Sequence, residues 1–381
     1  MSENYKSEDP VSEDPVSEDP VSEESKPDEH KPSDFAIPLP DTTDWGEPDR
    51  DIRVKPADGR GILMRDCQVG RAGEVPEVAL DGHGLAQRGS VVDPGTPDFG
   101  FAIREKKLVW ADNIADLYEQ GKAGQWDATT DIPWDDLPVL PDDLEQAVCQ
   151  VMTFLIQNEY LAMYLPAKFM NRIDPQFSEV VLFLATQVMD EARHAEVFTK
   201  RALANGGGLQ YVSAATEWSL RSLLAQDDYS NGSFLMHVLG EGTFMELLMF
   251  LEQVAPDPVT ARTFKLARQD EGRHVGYGIS HFAYHIEQDP SIKDDLMRAA
   301  EERTLFLQQA SGSSPFVLKA MMTLAGGGSH PEQLARGRDA VMGLYEEMHS
   351  KRVRELVAIG FDRKDAERIS ELHGSGVRNF M

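Results

Sequence analysis

One five-residue string occurs twice in this chain, as Asp190-Glu191-Ala192-Arg193-His194 and as Asp270-Glu271-Gly272-Arg273-His274. Each copy lies inside a long, proline-free stretch with apolar residues at helical spacing, so each reads as mid-helix. Residues three apart on a helix share a face, one turn from each other. Glu191 with His194, and Glu271 with His274, therefore each aim a carboxylate and an imidazole at a common point. Burying such carboxylates without compensating positive charge costs several kcal/mol apiece. The fold has to bring the two helices together around something cationic.

Each copy has an upstream partner. Glu159 sits within Phe154-Leu-Ile-Gln-Asn-Glu-Tyr-Leu161, 32 residues before Glu191. Glu241 sits within Val238-Leu-Gly-Glu-Gly-Thr-Phe244, 30 residues before Glu271. The chain thus reads as two helix pairs, each supplying Glu plus Glu-x-x-His, which is the ligand pattern of di-iron or di-manganese carboxylate sites in four-helix bundles. Glu159, Glu191 and His194 are the expected ligands of one ion, and Glu241, Glu271 and His274 of the other. One carboxylate from each Glu-x-x-His is expected to bridge. Four carboxylates and two imidazoles suit two iron ions, with manganese or a mixed Mn/Fe pair as alternatives. Asp190 and Asp270 are placed to accept the second ring N–H of the histidine on the opposite helix, and Arg193 and Arg273 to neutralise those aspartates. His237 reads as a core or cavity histidine rather than an added ligand, and His281 and His285 as structural. Glu246 rivals Glu241 but faces elsewhere. Glu217 and Glu252 read as surface or packing residues.

Apolar periodicity predicts helices over 142–170, 175–204, 233–254 and 258–288, with a connecting helix over 213–226. Further helices are expected at 291–310, 315–324, 331–358 and 363–372. Asp142 and Glu145 read as a capping box, and Pro166 as a bend. Residues 35–141 form an irregular extension rich in Gly and Pro, with a strand candidate at Phe99-Gly-Phe-Ala-Ile103 and a short helix from Asn113 to Tyr118. Residues 142–381 form the helical domain. Residues 1–34 are a separate regime. VSEDP recurs at 11–15 and 16–20, and Met1 to Ser33 holds 11 acidic and 3 basic residues, so this segment reads as a disordered acidic tail. The whole chain carries 37 Lys and Arg against 65 Asp and Glu, a net charge of −28. That argues against non-specific binding to nucleic acid or to an anionic membrane. No uninterrupted apolar run is long enough to span a bilayer. Cys67 and Cys149 form no CxxC pair, so a disulfide framework and a zinc–thiolate site are not expected, and a cytoplasmic location is.

Residues 142–288 resemble the ferritin-like, ribonucleotide-reductase-like di-iron superfamily. Asn158-Glu-Tyr160, Asp190-Glu-Ala-Arg-His194, Leu239-Gly-Glu-Gly-Thr-Phe244 and Asp270-Glu-Gly-Arg-His274 are most similar to hydroxylase subunits of bacterial multicomponent monooxygenases. The resemblance implies an all-α, ferritin-like four-helix bundle with added C-terminal helices. It also implies O2-dependent oxidation of a small organic substrate (hydroxylation, epoxidation or N-oxygenation), and a separate reductase, since no flavin, NAD or iron–sulfur motif is present. A homodimer is compatible with it. Three positions depart from family patterns. Phe198 stands where ribonucleotide reductases keep a radical tyrosine, Ala267 where aminobenzoate N-oxygenases carry an extra histidine, and Met245 where the multicomponent hydroxylases place a threonine. Met163, Phe198, Phe244 and Met245 are the candidates for lining a substrate site. A ferroxidase without organic substrate, a desaturase, and a scaffold that uses metal only to fold are the alternatives.

Overall fold

The computed structural model describes residues 49, 51–56, 59–309 and 315–380, without the side chains of 308–309 and 376–380. The acidic repeat at 1–34 lies outside the described residues, and nothing below bears on it. The described residues hold ten helices longer than one or two turns: α1 (Ile114–Ala123), α2 (Asp142–Met170), α3 (Ser178–Ala204), α4 (Ala214–Leu224), α5 (Tyr229–Val254), α6 (Pro258–Gln288), α7 (Ile292–Gln309), α8 (Pro315–Gly326), α9 (Pro331–Ala358) and α10 (Arg363–Phe380). No strand occurs among them. The Phe99–Ile103 segment makes only an isolated bridge between Ile103 and Ile173. Gly100 adopts a φ of 69°, and its N–H bonds to the Asp98 side chain, which turns the chain out of extended geometry.

The helix boundaries follow local chemistry. Asp257 caps α6 by accepting from Thr260 N at 2.8 Å, and Pro258 fills the first turn, where its missing N–H costs nothing. Ser213 caps α4 and Asp228 caps α5 in the same way. After α3, Gly206 and Gly208 take positive φ and end the helix. The capping box expected at α2 does not form. Pro141 is the capping residue, and the Glu145 carboxylate is drawn away to the fully buried Arg201, 2.7 Å distant.

The helices α2 and α3 pack as one pair and α5 and α6 as a second, and α3 and α6 meet between them. α1 lies across α3 and α6. α8 packs on α2 and α9 on α5, and both share a core with Leu155, Phe198, Leu248 and Phe264. α7 and α10 pack against each other and share a second core with Phe234, Phe282 and Leu356. The segment Tyr229–Val254 is long and apolar enough to cross a membrane, with a mean hydropathy of 1.4 over its best window, although His237, Glu241 and Glu246 interrupt its apolar run. In this fold 72% of that window is buried against neighbouring helices, as expected of a core helix.

Candidate metal centre

The helix α5 is irregular where the site begins. Phe234–Gly240 is wound as a π-helix, and Glu241 opens the α-helical remainder. A wider turn shifts the downstream face by roughly 100° per inserted residue. Here it delivers Glu241 to the bundle interior. Gly240 suits this winding, because a Cβ there would sit 3.2 Å from the Leu235 carbonyl oxygen.

All six sequence-predicted ligands converge. Glu159 comes from α2, Glu191 and His194 from α3, Glu241 from α5, and Glu271 and His274 from α6. None is more than 5% exposed. Glu159, Glu191, His194 and Glu271 each offer an atom within 4.8 Å of the others, and so do Glu191, Glu241, Glu271 and His274. Glu191 and Glu271 belong to both sets, so they are the two carboxylates that two ions would share, as the sequence reading expected of the Glu-x-x-His motifs.

The donor set fits a pair of metal ions. Glu159 Oε1, Glu191 Oε1 and Glu241 Oε2 are buried without any hydrogen-bond donor. Buried carboxylate oxygens are rarely left so, and cations would satisfy them. Burial pushes the Glu159 and Glu241 carboxyls well above the ordinary range, with the neighbouring glutamates adding to it. Both imidazoles turn Nδ1 toward the glutamates: His194 Nδ1 lies 3.1 Å from Glu191 Oε2, and His274 Nδ1 3.1 Å from Glu191 Oε1.

The far side of each ring is held from the opposite helix. His194 Nε2 donates to Asp270 Oδ2 at 3.2 Å, and His274 Nε2 to Asp190 Oδ2 at 3.4 Å. Arg193 Nη2 bridges Asp190 (2.5 Å) and Asp270 (2.6 Å), and Arg273 Nη2 bridges the same pair at 2.7 and 2.6 Å. Two aspartates and two arginines make a neutral quartet. The quartet thus adds no net charge, and the four glutamates, once deprotonated, would balance two divalent ions.

No protein-family model matches this chain, and no curated protein matches it. Among solved structures it is similar to R2-like ligand-binding oxidases. One variant with an anaerobically reconstituted Mn/Fe cofactor is 18% identical, over 64% of this chain and 94% of the other, with a TM-score of 0.48. A variant with an aerobically reconstituted Fe/Fe cofactor is 18% identical over 64% and 94%, with a TM-score of 0.46. An R2-like ligand-binding oxidase from Sulfolobus acidocaldarius is 17% identical over 67% and 93%, with a TM-score of 0.44.

The remaining candidates fall elsewhere. His237 Nδ1 accepts from Ser233 Oγ (2.9 Å), and its Nε2 donates to Gln187 Oε1 (3.1 Å). Gln187 Nε2 in turn donates to Glu241 Oε1 (3.0 Å), so His237 braces a ligand carboxylate through an amide and joins neither ligand set. Burial pulls His237 down to about 3, leaving it neutral. His281 donates to the Trp110 carbonyl (2.9 Å). Glu246 pairs with Lys351 at 2.9 Å, Glu252 with Arg268 at 2.8 Å, and Glu217 accepts from Gln157. Of the four lining candidates, Phe244 lines the cavity described below. Phe198 is fully buried in the core beside His194, and Met163 and Met245 are not among the cavity's walls. Sequence reasoning missed Gln125 and Trp126. They follow α1, outside the helical domain, yet Trp126 Nε1 donates to Asp270 Oδ2 at 2.7 Å and Gln125 Nε2 to Asp190 Oδ1 at 3.0 Å. A tryptophan in an otherwise polar loop was the one available signal.

Proposed function

We propose that this protein is an O2-dependent oxidoreductase that uses a dinuclear metal centre, two iron ions or a mixed Mn/Fe pair, to oxidise a small organic substrate. The observation that carries the reading is the set of three donor-less carboxylate oxygens inside two overlapping four-residue ligand sets, sealed in an apolar bundle. When bound, such a metal pair supplies the two-electron redox chemistry that activates O2. Glu159 and His194 would hold one ion, Glu241 and His274 the other, with Glu191 and Glu271 shared. Asp270 and Asp190 keep each histidine in the tautomer that leaves Nδ1 free to ligate. Gln187, backed by neutral His237, fixes the rotamer of Glu241. Leu184 and Leu248 are fully buried nearby and keep bulk water out of the bundle interior. Hydroxylation balances as R–H + O2 + 2 e− + 2 H+ giving R–OH + H2O. The two electrons require an external donor, and a separate reductase fills that role.

The test combines metal analysis with turnover. Full-length protein should bind close to two transition-metal ions per chain, and His194→Ala with His274→Ala should lower that content. The Fe(II)-loaded protein supplied with a reductant and candidate substrates should consume O2 and release an oxygenated product. Full metal occupancy in the double variant would refute the ligand assignment. Oxygen uptake that accumulates ferric mineral, without organic product, would make it a ferroxidase instead.

A further inference from the structure

Against α2 and α5, two of the helices that carry the glutamates, lies a cavity of about 130 Å3. For scale, an engineered apolar cavity of 150 Å3 binds benzene. Its walls are mostly apolar, with Phe154, Phe244, Leu247, Met321 and Leu344 among them, and its few polar side chains include one guanidinium, that of Arg303. The guanidinium has no carboxylate partner among the described residues. Nη2 donates to Ser219 Oγ at 3.0 Å, and Nε is buried with no acceptor at all. Burial pulls this guanidinium down to about 10. His373, on the same wall, is pressed well below its ordinary value by burial, with the charges of Arg352 and Arg303 adding to the effect, so the local field is positive.

A buried cation without a counter-ion costs several kcal/mol, and a water molecule can solvate it but cannot neutralise it. The guanidinium fork matches a carboxylate. Most of the other walls are apolar, so a carboxylate on a hydrocarbon body suits the site better than a sulfate or phosphate, whose further oxygens would find few donors. The cavity also abuts the metal-binding helices. Asn158 and Gly240, each the neighbour in sequence of a predicted ligand, line it.

We propose that this cavity binds a small organic monocarboxylate, with the carboxylate paired to Arg303 and an apolar body of about benzene size lying against Phe244 and Met321. That the bound acid is the molecule oxidised rests on the proposed function; that it binds does not. Calorimetric titration of the full-length protein under argon, with benzoate and hexanoate against benzyl alcohol and 1-hexanol, separates the two. The acids should bind at least tenfold tighter than the alcohols, and Arg303→Gln should weaken the acids at least tenfold while leaving the alcohols and the metal content unchanged. Equal affinity for acids and alcohols, no binding of either, or an unaffected Arg303→Gln overturns the site. If that variant does not fold, a crystal structure of the unmodified protein with benzoate decides. A carboxylate within hydrogen-bond distance of Arg303 upholds the site, and benzoate elsewhere overturns it. Binding with no oxygenated product after air and a reductant are admitted upholds the site and removes only its role as the substrate site.

Discussion

Asp270 gathers four donors on a single side chain. It accepts from His194, Arg193 and Trp126 on one oxygen and from Arg273 on the other, so two helices and a loop meet on one carboxylate. Asp270→Asn keeps the shape but turns an NH2 group toward one of those donors and removes the charge that balances the arginines. Loss of a carboxylate behind a ligand histidine typically costs 10–100-fold in metal affinity. A loss of about that size is expected, read by competition with a chromophoric chelator. Unchanged affinity would show that His194 is oriented by other means.

At the scale of helices, two features fix how the elements meet. A Cβ placed on Gly278 of α6 would lie 2.6 Å from His237 Cβ, so α6 and the π-wound part of α5 touch through a missing side chain. Alanine is the better helix former by about 1 kcal/mol, but overpacking against a Cβ on the facing backbone costs about 1–3 kcal/mol. Gly278→Ala should therefore lower the urea midpoint of unfolding. A gain in stability would mean that the helices part without cost. The second feature is Arg201, fully buried on α3, which bonds Glu145 of α2 at 2.7 Å and lies 3.4 Å from Asp257 at the start of α6. Arg201→Met strands two buried acids. It should destabilise the protein by about 3–5 kcal/mol, measured by denaturant titration.

For the molecule as a whole, metal loading should be coupled to protons. In the metal-free protein burial raises Glu159 and Glu241. Burial by itself would lower His194 and His274, but the carboxylates around them outweigh it and hold both well above 6.5. These groups therefore carry protons near neutrality that the ions must displace. Apparent metal affinity should rise as pH increases from 6 to 8, and calorimetry in buffers of different ionisation enthalpy should show proton release. A pH-independent affinity without proton release would contradict this charge state. Much of the arrangement was legible in the sequence, because Glu-x-x-His is local: residues three apart share a helix face whatever surrounds them. Helix α6 could be bounded at Pro258 and Gln288 for the same reason. What was not legible depends on distant partners. The capping role of Glu145 gave way to Arg201, 56 residues away, and the help of Gln125 and Trp126 depends on how a loop before the bundle lies across it. The π-wound turn left only a faint mark, the Gly-Glu-Gly of residues 240–242 inside an apolar helix.

The crossed pairs between α3 and α6 have a mechanical consequence. Each histidine is held by the other helix's aspartate, and each arginine spans both aspartates. Apolar packing alone tolerates a slide of one helix past another, since side chains of similar size recur every turn. A slide of one turn, about 5.4 Å, would here part both His–Asp pairs and both arginine bridges at once. The quartet thus acts as a register pin, and the alignment of the two helices is set on the side of the ring nitrogens facing away from the glutamates.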